Sequence, residues 1–223
     1  MKDSFGVINL GATDDKKVEQ IPKIKIVLAG PPRSGKSCFR EGIKQAIKAI
    51  PGAPYPYVIT ACPDGEGAWF QETVNDNPER AAELKKAYKS KFTPEFVARI
   101  QESVEKCAVP LSFIDIGGIT SEENARICKD ATHVIIISGD HSKIEEWREF
   151  FKKVNPNIEI IAEIDSDYNG IEDNIPEIQE DGVLRGSVHH LERGEKIADR
   201  ETIKKVAEYI VDKFFLKKVQ KVA

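Results

Sequence analysis

One short pattern constrains this chain more than any other. Residues 30–37 read G-x-x-x-x-G-K-S, set between an apolar, β-rich run (24–29) and a stretch (38–50) in which Phe39, Ile43, Ala46, Ile47 and Ile50 recur at helical spacing. A chance glycine turn would lack both flanking elements. Strand, glycine loop and helix together predict a phosphate cradle: backbone N–H groups of the loop and of the helix N-terminus point at the anion, and the helix dipole favours negative charge there. Gly30 and Gly35 permit backbone conformations that a Cβ would block. Lys36 is expected to reach the β- and γ-phosphates, and the Ser37 hydroxyl to bind magnesium. Pro31, Pro32, Arg33, Ser34 and Cys38 complete the predicted nucleotide-binding stretch, with Arg33 expected to point outward toward a phosphate or a neighbouring subunit.

The rest of the chain supplies the layers such a loop requires. Apolar runs at 57–62, 111–115, 132–138 and 158–164 read as further strands. Helical patterns occupy 78–91, 94–106, 122–130, 142–154 and 201–218, the second opening on Thr93 as N-cap with Pro94 in the first turn. Alternating strands and helices predict an α/β fold of the P-loop NTPase kind: a three-layer sandwich whose mostly parallel, five-stranded sheet carries helices on both faces. Residues 1–22, with a short apolar run at 7–10, read as a lead-in, and 23–223 as one nucleotide-binding domain. Residues 182–191 read as a β-ribbon.

Ligands of such sheets sit beyond the carboxyl ends of the strands. Residues 138–141 are expected along that edge, and three sets of candidates are read near it. Asp115 ends an apolar strand and is expected to hold magnesium opposite Ser37, with Gly117 and Gly118 leaving backbone N–H groups to meet a γ-phosphate. Ile116 stands where many ATPases place a glutamate to polarise the attacking water, so fast hydrolysis is not expected. Asp64 and Glu66, in the loop after the second strand, could serve as general base or acceptor ligand beside Trp69, or simply shape a tight turn. Arg185, His190 and Arg193 are candidates for base or phosphate contact, and an unliganded surface ribbon is an equal reading.

Composition narrows the partners. A formal net charge of −4 provides no bulk basic field for nucleic acid or an anionic membrane. No apolar run is long enough to span a bilayer and no signal-peptide core opens the chain, so a cytoplasmic protein is expected. The four cysteines form no C-x-x-C pair, which fits reduced thiols better than a zinc site.

Three blocks carry a resemblance: Gly30-Pro31-Pro32-x-Ser34-Gly35-Lys36-Ser37, then Ala61-Cys62-Pro63-Asp64-Gly65-Glu66-Gly67-x-Trp69, then Ile114-Asp115-Ile116-Gly117-Gly118. Together they resemble the AAA-like P-loop ATPase domain fused to the CRISPR-associated ring nuclease of cyanobacterial type III systems. The resemblance implies ATP and magnesium as cofactors, and a ring nuclease, another protein or a second copy of the chain as partner. With only about 22 residues ahead of the loop, no nuclease domain is expected here. The residues themselves leave two functions open. One is a slow ATPase that regulates a partner or its own assembly; the other is a small-molecule kinase using Asp64 or Glu66.

Overall fold

The computed structural model describes residues 21–62, 92–192 and 194–216. Strand β1 (Ile24–Ala29) leads through the glycine loop into α1 (Lys36–Ala49), and β2 (Pro56–Thr60) follows. Then come α2 (Pro94–Lys106), β3 (Leu111–Asp115), α3 (Glu122–Cys128), β4 (His133–Ser138), α4 (His141–Val154) and β5 (Glu159–Asp167). The chain closes with β6 (Glu177–Ile178), β7 (Leu184–His189) and α5 (Glu201–Val211), which runs into a π-helical turn, Asp212–Leu216. The strand predicted at 7–10 and the helix predicted at 78–91 lie outside the described residues.

Among the described residues the sheet has seven strands in the order β2-β3-β1-β4-β5-β7-β6, not five. All pairs are parallel except β6 with β7. The predicted ribbon at 182–191 thus joins the sheet: Leu184 pairs with Ala162 and His189 with Asp167, parallel to β5. Only two-residue β6 runs antiparallel, at the edge.

Side-chain alternation along the strands divides the core into two layers. Ile24, Ile26, Leu28, Leu111 and Phe113 face α1 and α5, where Phe39, Ile43, Ile47, Ile203, Val206 and Ile210 cover them. Val27, Ala29, Ile114, Val134 and Ile136 face the other way, against Val97 and Val104 of α2, Ile127 of α3, and Trp147 and Phe151 of α4. Both faces of β3 and β4 are buried, which is why these strands read as mostly apolar runs, with Ser112 the buried polar exception inside β3. The helix starts are capped as their sequences dictate. Thr93 Oγ1 accepts from Phe96 N at 3.2 Å, and Ser121 Oγ from Asn124 N at 3.3 Å. Among the described residues no helix is long and apolar enough to cross a membrane.

The π-helical turn places Phe214 against His133, ring centroids 4.5 Å apart. Burial pushes the His133 imidazole down to about 4; Glu159 opposes that shift and Lys213 adds to it. The folded pKa lies below the unfolded value of about 6.5, so the native state binds fewer protons between the two. Stability from this site is complete above pH 6.5 and is lost as the pH falls toward 4, by about 3 kcal/mol in all. Urea unfolding followed from neutral to mildly acidic pH should show a shallower acid loss in His133→Phe than in the parent. Parallel curves would remove His133 from the acid response.

Candidate functional site

β1 lies at the centre of the sheet between β3 and β4, and its carboxyl end delivers the glycine loop. Two residues of that loop take left-handed backbone, Arg33 with φ 64° and Gly35 with φ 78°. Gly35 stands at the N-cap of α1, where it has no side chain to offer the first-turn N–H groups. Across the loop, the Lys36 ammonium folds back to donate to the carbonyls of Gly30 and Pro31, each at 2.8 Å, and reaches Ser34 Oγ at 3.5 Å. Lys36 and Ser37 are both buried, whereas Arg33 is exposed.

A cleft of about 560 Å³ opens beside the loop. Residues 31–35 form one wall; Ser138 at the end of β4 with Gly139 and Asp140 beyond it, Ser166 near the end of β5 with Tyr168 beyond it, and Leu191 after β7 form the others. Asp140 caps α4 by accepting from Ser142 N at 2.9 Å and Ser142 Oγ at 2.7 Å, bonds that hold its carboxyl below the usual range. Tyr168 stacks on His190 with centroids 5.0 Å apart, and its hydroxyl donates to Glu192 at 3.0 Å. Leu191 closes over the start of α1: a Cβ on Gly35 would stand 2.5 Å from its Cδ1. Next to it, the Cys38 thiol donates to the Glu192 carbonyl at 3.2 Å.

Asp115 ends β3 on the face that carries α1. Its Oδ2 accepts from Arg40 NH1 at 2.6 Å, with both side chains almost fully buried. Arg40 lies three residues beyond Ser37 on α1, so the two share a helix face. A hydroxyl and one carboxylate are the hard oxygen donors that suit magnesium when phosphates supply the remaining ligands. Arg40 already engages Asp115 Oδ2, so a metal here would share this carboxylate with a guanidinium. The turn after Asp115 is fastened on both sides. Asn124 Nδ2 donates to the Gly117 carbonyl at 3.1 Å, and a Cβ on Gly118 would stand 2.5 Å from Pro32 N.

The structure therefore brings together Gly30 to Cys38, Asp115, Gly117 and Gly118. It does not bring Arg185 to them. Arg185 pairs with Glu163 across β5, four residues short of the strand's carboxyl end, and its guanidinium bonds Glu163 at 2.7 Å and Asp181 at 2.9 and 2.7 Å. Asp64, Glu66 and Arg193 lie outside the described residues. Sequence reasoning missed Arg40 and Tyr168; it placed residues 138–141 on this edge without giving Asp140 a role. Arg40 carried one usable signal, its place one helix turn from Lys36 on a helix that buries that side.

No family model matches the chain, and no curated protein matches it. Among solved structures it is similar to a plasmid partition protein from Borrelia burgdorferi, with TM-score 0.55 and 15% identity over 88% of this chain and 99% of that one. A partition-protein structure from B. burgdorferi B31 bound to AMPPNP matches with the same TM-score of 0.55 and 15% identity, over the same 88% and 99% of the two chains. Cobyrinic acid a,c-diamide synthase from Mycobacterium smegmatis, solved with an ATP analogue and magnesium, gives TM-score 0.54 and 11% identity over 86% of this chain and 96% of that one. The fold is that of the P-loop NTPases.

Proposed function

We propose that this protein is a magnesium-dependent ATP-binding protein with slow ATPase activity, which uses bound nucleotide to regulate a partner or its own assembly. The observation that carries the reading is the loop itself. Lys36 is folded over the Gly30 and Pro31 carbonyls at 2.8 Å, beside a helix start whose N-cap is a left-handed glycine. A lysine held there, at the N-terminus of a helix, binds a polyphosphate. Ser37 and Asp115 would hold magnesium, which when bound neutralises phosphate charge. The exposed face of Tyr168 suits a stacked base at the far side of the cleft.

Slow turnover is supported by what surrounds the phosphates. Ile116, directly after Asp115, turns away into the core and is 2% exposed, so position 116 has no carboxylate to polarise water. The carboxylate among the described cleft residues is Asp140, already committed to capping α4. The kinase alternative depends on Asp64 and Glu66. Association with a ring nuclease rests on the sequence resemblance, and none of the three structures named above is of that kind.

The test is ATP binding by calorimetry beside phosphate release. Lys36→Ala removes a charge-assisted contact of about 1.5–3 kcal/mol, so ATP affinity should fall at least about tenfold in a folded variant. A parent protein that ignores ATP, or a variant that binds it equally well, would overturn the reading. A phosphorylated small molecule in place of free phosphate would favour the kinase.

A further inference from the structure

Arg40 is a charge that phosphate binding does not require. It is 4% exposed, carried on the core-facing side of α1, and spends its NH1 on Asp115 Oδ2 at 2.6 Å. A buried carboxylate demands a counter-ion, and Arg40 supplies one. Among the described residues Asp115 is the carboxylate best placed for a metal, yet the chain already supplies it with a cation. Because Ser37 and Arg40 lie on one helix face, an ion bound between Ser37 and Asp115 would meet a fixed positive charge within one turn. It would also meet a carboxylate oxygen already in use. The surrounding backbone has little room to relax the conflict, since the turn after Asp115 is packed onto Pro31 and Pro32 at Gly118.

We propose that Arg40 is a resident counter-ion that holds Asp115 and sets the magnesium affinity of the site, so that magnesium enters only together with nucleotide. The inference rests on the reading of Ser37 and Asp115 as a magnesium site. Magnesium alone brings two positive charges to a carboxylate whose cation is tethered beside it. The magnesium complex of ATP brings its own negative charge, which screens the dication from the guanidinium. Arg40 is thus a positioning residue that acts on the metal through Asp115.

The experiment uses the full chain with Arg40→Met, which keeps the aliphatic length and removes the charge, and Arg40→Lys, which keeps a charge. ATP binding is measured by calorimetry across a magnesium series, and thermal melting is followed with magnesium chloride alone. In Arg40→Met the magnesium midpoint for ATP binding should fall at least about tenfold, and magnesium alone should raise the melting temperature. The parent and Arg40→Lys should melt unchanged with magnesium alone. A folded Arg40→Met with the parent midpoint and no melting response would reduce Arg40 to a packing role. If Arg40→Met does not fold, Arg40→Gln takes its place, and a parent that is itself stabilised by magnesium alone overturns the inference whichever variant folds. A parent that fails to bind ATP at any magnesium concentration removes the proposed function as well, whereas normal ATP binding with an unmoved midpoint removes only the role of Arg40.

Discussion

Gly30→Ala should destabilise the protein by about 2–6 kcal/mol and abolish measurable nucleotide binding. Two separate costs add at this position. Its φ of 140° lies where L side chains rarely go, at about 1–3 kcal/mol. A Cβ there would also stand 1.9 Å from the Ile137 carbonyl oxygen, and overpacking of a rigid core costs a further 1–3 kcal/mol or so. The obstructing atom is backbone of β4, a strand buried on both faces, so it has nowhere to retreat. Relief would have to come from parting β1 and β4 just where the loop leaves the sheet. Gly52→Ala is the control: φ is 77° but nothing lies within 4 Å, so only the backbone term of about 1–2 kcal/mol remains. Urea unfolding of the two variants beside the parent checks the difference, with ATP calorimetry on each. Equal losses would mean that the loop's root at β4 yields more readily than its packing implies.

The loop was legible because its chemistry is local: consecutive residues, a run of apolar letters before and a helical period after. The central strands were legible for a related reason, since burial on both faces leaves them mostly apolar, with Lys25 the polar exception inside β1 and Ser112 inside β3. β7 lacked that signature. Arg185, Gly186 and Ser187 break its apolar run, and its place beside β5 depends on Leu184 and Val188 filling the face that α5 covers. Arg40 was invisible for a different reason. Its partner Asp115 stands 75 residues away, and an arginine in a helix ordinarily reads as a solvated position. The same holds for Tyr168, which lies in an acidic, turn-rich stretch and meets His190 only because β5 and β7 run side by side. Strand direction also decides the role of Arg185. Read without direction, it belongs to the segment expected near the base; read along β7, it sits well below the cleft.

Glu163→Ala should cost about 3–5 kcal/mol while leaving ATP affinity within about twofold of the parent. Glu163 occupies β5 with its side chain 4% exposed, held by Arg148 of α4 through two bonds of 2.5 Å and by Arg185 of β7 at 2.7 Å. Burial pushes its carboxyl up, but the bonds from Arg148 and Arg185 outweigh that and keep it below the usual range, hence ionised at neutral pH. Removing it leaves two partly buried guanidinium groups facing each other without their shared anion. Arg185→Ala is the milder companion, costing about 1–3 kcal/mol, because Arg148 still neutralises Glu163. Neither change should reach the nucleotide, since Arg185 lies four residues, or about 13 Å, short of the carboxyl end of β7. Chemical denaturation and ATP calorimetry on the same preparations separate the two roles. Should Arg185→Ala lose ATP affinity tenfold with its stability intact, the nucleotide-contact role first read for it would stand, and the Glu163 ion pair would be incidental to it.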